Sequence, residues 1–139
     1  MRERRIPIRW RDVDAYGHVN NAVYLNYLEE CRDAWVRDVA GAEFNFVIVR
    51  IAIDFRSELS LEDEEVTVRC WGEAVGRSSV RTHEEILAAD GRLSAESASV
   101  IVRHDVDRRT SVPLTDELRA TIQAAVDADL AARGSGAPR

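Results

Sequence analysis

The pattern of this chain predicts an α+β fold, a long helix wrapped by a curved antiparallel sheet. Three observations carry that reading. An amphipathic segment near the N-terminus, residues 20–39, has apolar side chains at spacings of three and four. After it the apolar period drops to two for four successive segments. Those segments are joined by short turns with no room for crossover helices, so neighbours pair antiparallel, and a lone apolar helix needs a curved sheet to cover it.

Residues 4–10, Arg-Arg-Ile-Pro-Ile-Arg-Trp, alternate and read as a strand, placed at a sheet edge by Pro7. A polar loop, 11–19, follows, with Gly17 free to take a positive φ. Asn20 is a helix N-cap. Tyr24, Tyr27, Leu28, Cys31, Ala34 and Trp35 then form the apolar stripe, and Gly41 closes the helix. Phe46–Leu59, Glu65–Gly76, Ser78–Ala89 and Arg92–His104 are the four strands. Asp90-Gly91 is a hairpin turn between the last two, and Gly76 turns the chain between their predecessors. Thr115 starts a second helix with apolar positions at 118, 122, 126 and 130. Residues 1–133 read as one domain, and 134–139 as a flexible tail.

Composition excludes several classes of function. The chain has 139 residues, 45% hydrophobic and 32% charged, which suits one soluble domain able to bury its own core. Its net charge of −6 argues against a nucleic-acid binder held by phosphate contacts. No run is long and apolar enough for a membrane span, and no signal-peptide core is present, so a cytoplasmic location is expected. The chain contains no lysine, which removes Schiff-base, P-loop and Ser-Lys chemistry. Cys31 and Cys70 form no C-x-x-C pair and read as buried, reduced thiols. There is no G-x-S-x-G elbow, no G-x-G-x-x-G and no H-E-x-x-H.

The chemistry gathers at residues 12–21. Asp12, Asp14, His18, Asn20 and Asn21 crowd a loop that opens directly onto the long helix, beside its free N–H groups and the positive end of its dipole. If Asp12 points back along the strand, Asp14 points towards the helix terminus. There it can take a proton from water, attack a carbonyl, or cap a turn through an Asx bond. His18 can orient substrate, share a proton with Asp14 or bond a backbone carbonyl. The amides of Asn20 and Asn21 can cap the helix and hold a carbonyl oxygen that gains charge. Asp12, Asp14 and His18 lack the second element a metal site needs, so no metal is expected. His104-Asp105-Val-Asp107 reads as a solvated strand end, and His83 as structural. Trp10, Tyr16, Tyr24, Tyr27 and Trp35 either line an aromatic-tolerant pocket or fill the core.

The run Asp12-Val-Asp14-Ala-Tyr-Gly17-His18-Val-Asn20-Asn21-Ala-Val-Tyr24 resembles the signature of hotdog-fold acyl-CoA thioesterases. It is similar to the branch of 4-hydroxybenzoyl-CoA and long-chain acyl-CoA thioesterases. With the order strand, helix, four strands, the resemblance covers residues 4–112. It implies hydrolysis of an acyl-CoA thioester to free acid and coenzyme A, with no separate cofactor, and with Asp14 as the catalytic carboxylate, either base or nucleophile. A histidine at position 18 belongs to the aliphatic acyl-CoA and acyl-carrier-protein branches; the 4-hydroxybenzoyl member has an apolar residue there. The plant acyl-carrier-protein enzymes carry asparagine where this chain has Tyr16, so their Asp-Asn-His arrangement does not transfer whole. Tyr16 and Tyr24 are candidate substrate contacts. Gly76-Arg77-Ser78-Ser79 resembles the family's phosphate-contacting segment, with Arg77 the leading candidate; Arg81, Arg108 and Arg109 are further candidates. The family implies a homodimer, edge to edge, or a tetramer, with the site between protomers. Two further readings stand beside this one. A hydratase of the same fold typically has Asn-Pro between its aspartate and histidine, which Ala15-Tyr16-Gly17 does not match. A non-catalytic acyl-CoA binder needs an attached partner segment.

Overall fold

Tyr24, Tyr27, Leu28, Cys31 and Trp35 line the buried face of α1 (Asn21–Ala40), as their spacing predicts. Asn20 caps it: its side-chain oxygen accepts the Ala22 N–H at 2.9 Å, a bond of a type that stabilises by about 1 kcal/mol. Gly41, at φ 92°, ends it and donates its N–H to the Arg37 carbonyl. The stripe also holds a residue that hydrophobic patterning does not predict, Arg32, which is buried.

The computed structural model describes residues 1–134. Around α1 stand β1 (Arg2–Pro7), β2 (Phe46–Phe55), β3 (Glu65–Val75), β4 (Ser79–Ala88) and β5 (Leu93–Asp105). A two-residue β6 (Thr110–Ser111) pairs with the end of β5, and α2 (Asp116–Gly134) follows. The sheet is antiparallel throughout, in the order β1-β3-β4-β5-β2. Register shifts at Ile48/Arg50 in β2 and Gly72/Ala74 in β3 mark bulges, which add twist and help curl the sheet. α1 packs over β1, β3 and β4, and reaches β5 and β2 through the Arg32–Ser99 bond and the Tyr24–Phe55 ring contact.

Three boundaries, and the exposure of three side chains, differ from expectation. The first strand stops at Pro7, because Arg9 and Asp12 close a 3₁₀ turn over Trp10–Asp12: the Arg9 N–H donates to the Asp12 carboxylate at 2.9 Å. β2 stops at Phe55, where the N–H groups of Arg56 and Ser57 both turn to the Ser94 carbonyl. Trp10 and Tyr16 stand 80% and 88% exposed on the loop, so neither fills the core. Leu130, in the apolar series of α2, is exposed, whereas Leu118, Ile122 and Val126 are buried. Gly134 ends α2 and is no part of a tail; 135–139 lie outside the described residues.

Candidate active site

Residues 13–19 form a loop pinned at both ends. Val13 bridges to Val19, the Asp14 N–H donates to the His18 carbonyl at 2.9 Å, and the Asn20 N–H donates to the Asp12 carbonyl at 2.8 Å. Gly17, at φ 81°, makes the turn, a conformation that side chains disfavour. Val19 in turn donates its N–H to the Leu59 carbonyl, tying the loop to the segment after β2.

This backbone gives the two aspartates different work. Asp12 is buried, accepting the Tyr27 hydroxyl at 2.8 Å and the Arg9 N–H at 2.9 Å. Burial first, and then the Asp12 carboxylate, push the Tyr27 phenol well above its ordinary value. Asp14 is half-buried on the loop. Its Oδ1 accepts the Tyr16 N–H at 2.9 Å, the Asx bond expected of a turn, while its Oδ2 has no protein partner among the described residues. The structural role therefore uses one oxygen and leaves the other available for chemistry.

His18 is exposed and places Nε2 at 3.6 Å from Glu58 Oε2. Asn20 spends its side-chain oxygen on the cap. The first helical N–H, on Asn21, has no protein partner among the described residues, as the physics of helix starts dictates. A cleft of about 360 Å³ opens here, lined by His18, Asn21, Tyr24, Phe55 and Glu58. Asp14 borders it through His18 but does not itself line it. Tyr24 is buried, stacked edge-on against Phe55 at 5.0 Å.

Arg77, Ser78 and Ser79 are not brought to this place. They turn β3 into β4 at the far end of the sheet, about 30 Å away for strands of this length. The turn is held by its backbone: the Gly76 N–H donates to the Ser79 carbonyl, and Arg119 donates to the carbonyls of Gly76 and Arg77. The Arg77 side chain is left exposed. Glu58, Glu62, Asp63 and Asp90 lie at the α1 start with Arg92 among them, and Arg77, Arg103, Arg108, Arg109 and Arg119 lie at the other end with Asp105, Asp107 and Asp116 among them.

Other candidates resolve as structure. His83 stacks on Trp71 at 4.7 Å, and Asp105 caps the β5–β6 turn. Among the described residues no three His, Cys, Asp or Glu side chains converge as a metal would need. No described helix is long and apolar enough to cross a membrane. Sequence reasoning missed Glu58, which comes from the segment after β2 and has no motif around it. It also missed Arg92, which joins Asp90, Asp63 and the Glu58 carbonyl behind the loop. The third omission is the pair of Arg32 with the fully buried Glu84, at 3.2 Å.

The family model described as thioesterase-like superfamily matches residues 8–122, a span that runs from the start of the loop into α2. The chain belongs to this superfamily. It is 27% identical over 125 residues to the long-chain acyl-CoA thioesterase FadM of Escherichia coli (strain K12), covering 86% of this chain and 95% of that one. A thioesterase from Thermus thermophilus, solved in complex with coenzyme A and Zn, is 31% identical, with a TM-score of 0.80 over 91% of this chain and 95% of that one. A thioesterase superfamily structure from Jannaschia sp. CCS1 has the same TM-score of 0.80 at 21% identity over 89% and 92% of the two chains, a likeness of fold alone. Within this thioesterase-like fold, the loop with Asp14 stands where strand gives way to the long helix.

Proposed function

We propose that this thioesterase-like protein hydrolyses the thioester of an acyl-CoA, releasing the free acid and coenzyme A, with Asp14 as the reacting carboxylate. The observation that carries the reading is the split between the two aspartates: Asp12 is consumed by the core, and Asp14 keeps an unengaged oxygen beside the first turn of α1. A thioester carbonyl held in the cleft at Asn21 meets the free N–H and the positive dipole end as its oxygen gains charge. Asp14 then either takes a proton from the attacking water, so that the free acid forms as the thiolate of coenzyme A departs, or adds to the carbonyl and expels that thiolate, leaving a mixed anhydride that water hydrolyses to the free acid and the restored carboxylate. His18, braced by Glu58, orients the substrate, and Tyr24 forms part of the wall. The protein needs no cofactor in this reading, because coenzyme A enters with the substrate and leaves as product.

At the rim around Glu58, Glu62 and Asp63 the lining arginine, Arg92, is engaged by Asp63 and Asp90, which disfavours the phosphates of coenzyme A there, and the Arg77 turn is too far away on the same chain. A second copy removes the difficulty. β1 is a protected edge, with Arg2, Arg4, Arg5 and Pro7, whereas β2 is free and exposes Val47, Ile48 and Val49. Two β2 edges paired about a twofold axis run antiparallel, so the arginine-rich end of one copy lies beside the acidic end of the other. In such a dimer Arg77, with Ser78 and Ser79, meets the coenzyme A of its neighbour's site, and Tyr16 on the exposed loop faces the same ligand.

Thiol release measured across short, long and aromatic acyl-CoAs, for the wild type and Asp14→Asn, tests the reading. The expected result is turnover on at least one acyl class, lowered by a hundredfold or more in the variant, of the order typical for a placed base. Full activity in Asp14→Asn removes the assignment.

A further inference from the structure

The cleft at Asn21 and Tyr24 runs on into a larger one, of about 1000 Å³, with which it shares His18, Ser57 and Glu58. Val13, Gly17, Leu61, Asp63 and Arg92 are among the residues that line the larger cleft. Glu58 stands where the two clefts meet, with its Oε2 3.6 Å from His18 Nε2. Its side chain is 71% exposed and has no other ion pair or hydrogen bond among the described residues. Packing does not hold this carboxylate, so its place depends on the backbone of the segment after β2.

Arg92 clamps that backbone. The β4–β5 hairpin fixes Arg92 first: its carbonyl accepts the Ala88 N–H at 2.9 Å, and its N–H donates to Asp90 Oδ1 at 2.9 Å. From there Nε donates to Ser57 Oγ at 3.1 Å, and Nη2 donates to the Glu58 carbonyl at 3.1 Å. Nε and Nη2 share one edge of the rigid guanidinium fork, so a single edge grips two consecutive residues. Nη2 also donates to Asp63 Oδ1 at 3.2 Å, and Nη1 to Asp90 Oδ2 at 2.6 Å, which fixes the plane of the fork. Among the described residues Arg92 is the one hydrogen-bond partner of the Glu58 carbonyl.

We infer that Arg92 is a positioning residue for the proposed hydrolysis: by gripping Ser57 and Glu58 it holds the Glu58 carboxylate against His18. The inference rests on the acyl-CoA thioesterase reading, in which His18 orients the substrate. Nε and both Nη groups of Arg92 are engaged within the protein, so it acts through Glu58 and not on the ligand. A clamp that served the fold alone would affect stability, and its effect on the rate would not depend on the side chain at position 58.

A double-mutant cycle separates the two roles. Thiol release by the full chain is measured on whichever of the short, long and aromatic acyl-CoAs the wild type turns over fastest, together with urea midpoints. The proteins are the wild type, Arg92→Lys, Glu58→Gln and the double variant. Lysine keeps the charge between Asp63 and Asp90 but lacks the two-donor edge. Each single variant is expected to lower kcat/KM by about tenfold, a loss typical of a misplaced site group, and the double variant by about tenfold in place of a hundredfold. The midpoint shifts are expected to add, because glutamine at position 58 leaves the carbonyl in place. Should Arg92→Lys not fold, Asp63→Asn, which loosens the Nη2 arm, takes its place in the cycle. It is expected to lower kcat/KM at least threefold in the wild type and to change nothing further in Glu58→Gln. Losses in kcat/KM that multiply, an Arg92→Lys protein with lowered midpoint and unchanged kcat/KM, or full activity in Glu58→Gln overturn this inference alone. No thiol release by the wild type from any acyl-CoA overturns the functional reading, and this inference with it.

Discussion

The hydroxyl of Tyr27 donates to the buried carboxylate of Asp12 at 2.8 Å, across the junction of loop and helix. That bond ties the start of the loop to the second turn of α1 and so decides where Asp14, two residues on, stands. The two aspartates share one short motif, yet Asp12 is engaged in the core and Asp14 keeps one carboxylate oxygen without a protein partner among the described residues.

Exchanging each for asparagine separates the roles. Asp12→Asn weakens charge-assisted bonds to Tyr27 and to the Arg9 N–H, which typically contribute about 1.5–3 kcal/mol each. It is expected to lower the urea midpoint clearly. Asp14→Asn keeps the Asx bond through its amide oxygen and is expected to keep wild-type stability while losing a hundredfold or more in kcat. Paired urea titrations and rate measurements check this; a stability loss in Asp14→Asn equal to that in Asp12→Asn contradicts the division of labour.

Much of this was legible in the chain. The stripe Tyr24, Tyr27, Leu28, Cys31, Trp35 has one period and one partner surface, so local pattern and global fold agree. Asp90-Gly91 and Gly17 were readable because a turn needs a positive φ there, and both glycines adopt one, at 85° and 81°. The polar cluster of the candidate site was legible because its residues lie within one loop. Glu58 and Arg92 were not, since their roles arise only when the segments after β2 and β4 meet at the loop. Arg32 was hidden for the opposite reason: its charge masks a buried position, and its partner Glu84 lies 52 residues away, a carboxylate in the same register as the buried Val80 and Ile86 of β4. Trp10 misled because an exposed indole looks like core to any hydrophobicity pattern.

The free edge of β2 carries the prediction about assembly. The bulge before Arg50 leaves residues 50–55 as the regular pairing stretch, with Val47 and Val49 exposed beside it. Val47→Lys with Val49→Lys adds charges of the kind that block edge pairing. Light scattering is expected to show a dimer or larger assembly for the wild type and a monomer for the double variant. On the proposed site shared between two copies, turnover is expected to be lost together with assembly. A wild-type monomer with full activity refutes the shared site.

Stability is expected to fall in alkali. Burial pushes the Cys31 thiol up to about 12, with Glu84 adding to it, and burial likewise raises Cys70 and Tyr27. A raised value means the folded state keeps a proton that the unfolded state releases. The contribution is complete below the unfolded thiol value near 8.5 and is lost as pH climbs above it, with Tyr27 joining above about 10. Each group adds about 1.4 kcal/mol per pH unit to the slope. Urea midpoints between pH 8 and 10 are expected to drop steeply, and Cys31→Ala with Cys70→Ala to flatten that drop. An identical slope in the double variant defeats the assignment to the thiols.

The docking of α2 turns on one missing side chain. Gly72 donates its N–H to Asp129 Oδ2 at 3.1 Å, and the Trp35 indole donates to the same oxygen at 3.0 Å, so helix, sheet and α2 meet at a point. A Cβ at Gly72 would stand 2.6 Å from Val126 Cγ2 and 2.7 Å from Trp35 Cζ2, well inside van der Waals contact. Neither neighbour can swing aside, because Trp35 and Val126 are both buried. Gly72→Ala is therefore expected to cost about 1–3 kcal/mol, as overpacking does. Val126→Ala alone also destabilises, by opening a cavity, but in combination it removes half the clash. The double variant is then expected to be more stable than the sum of the two losses, with a coupling of at least about 0.5 kcal/mol. Additive losses, or a Gly72→Ala protein as stable as the wild type, would mean that α2 adjusts freely and is not locked onto β3.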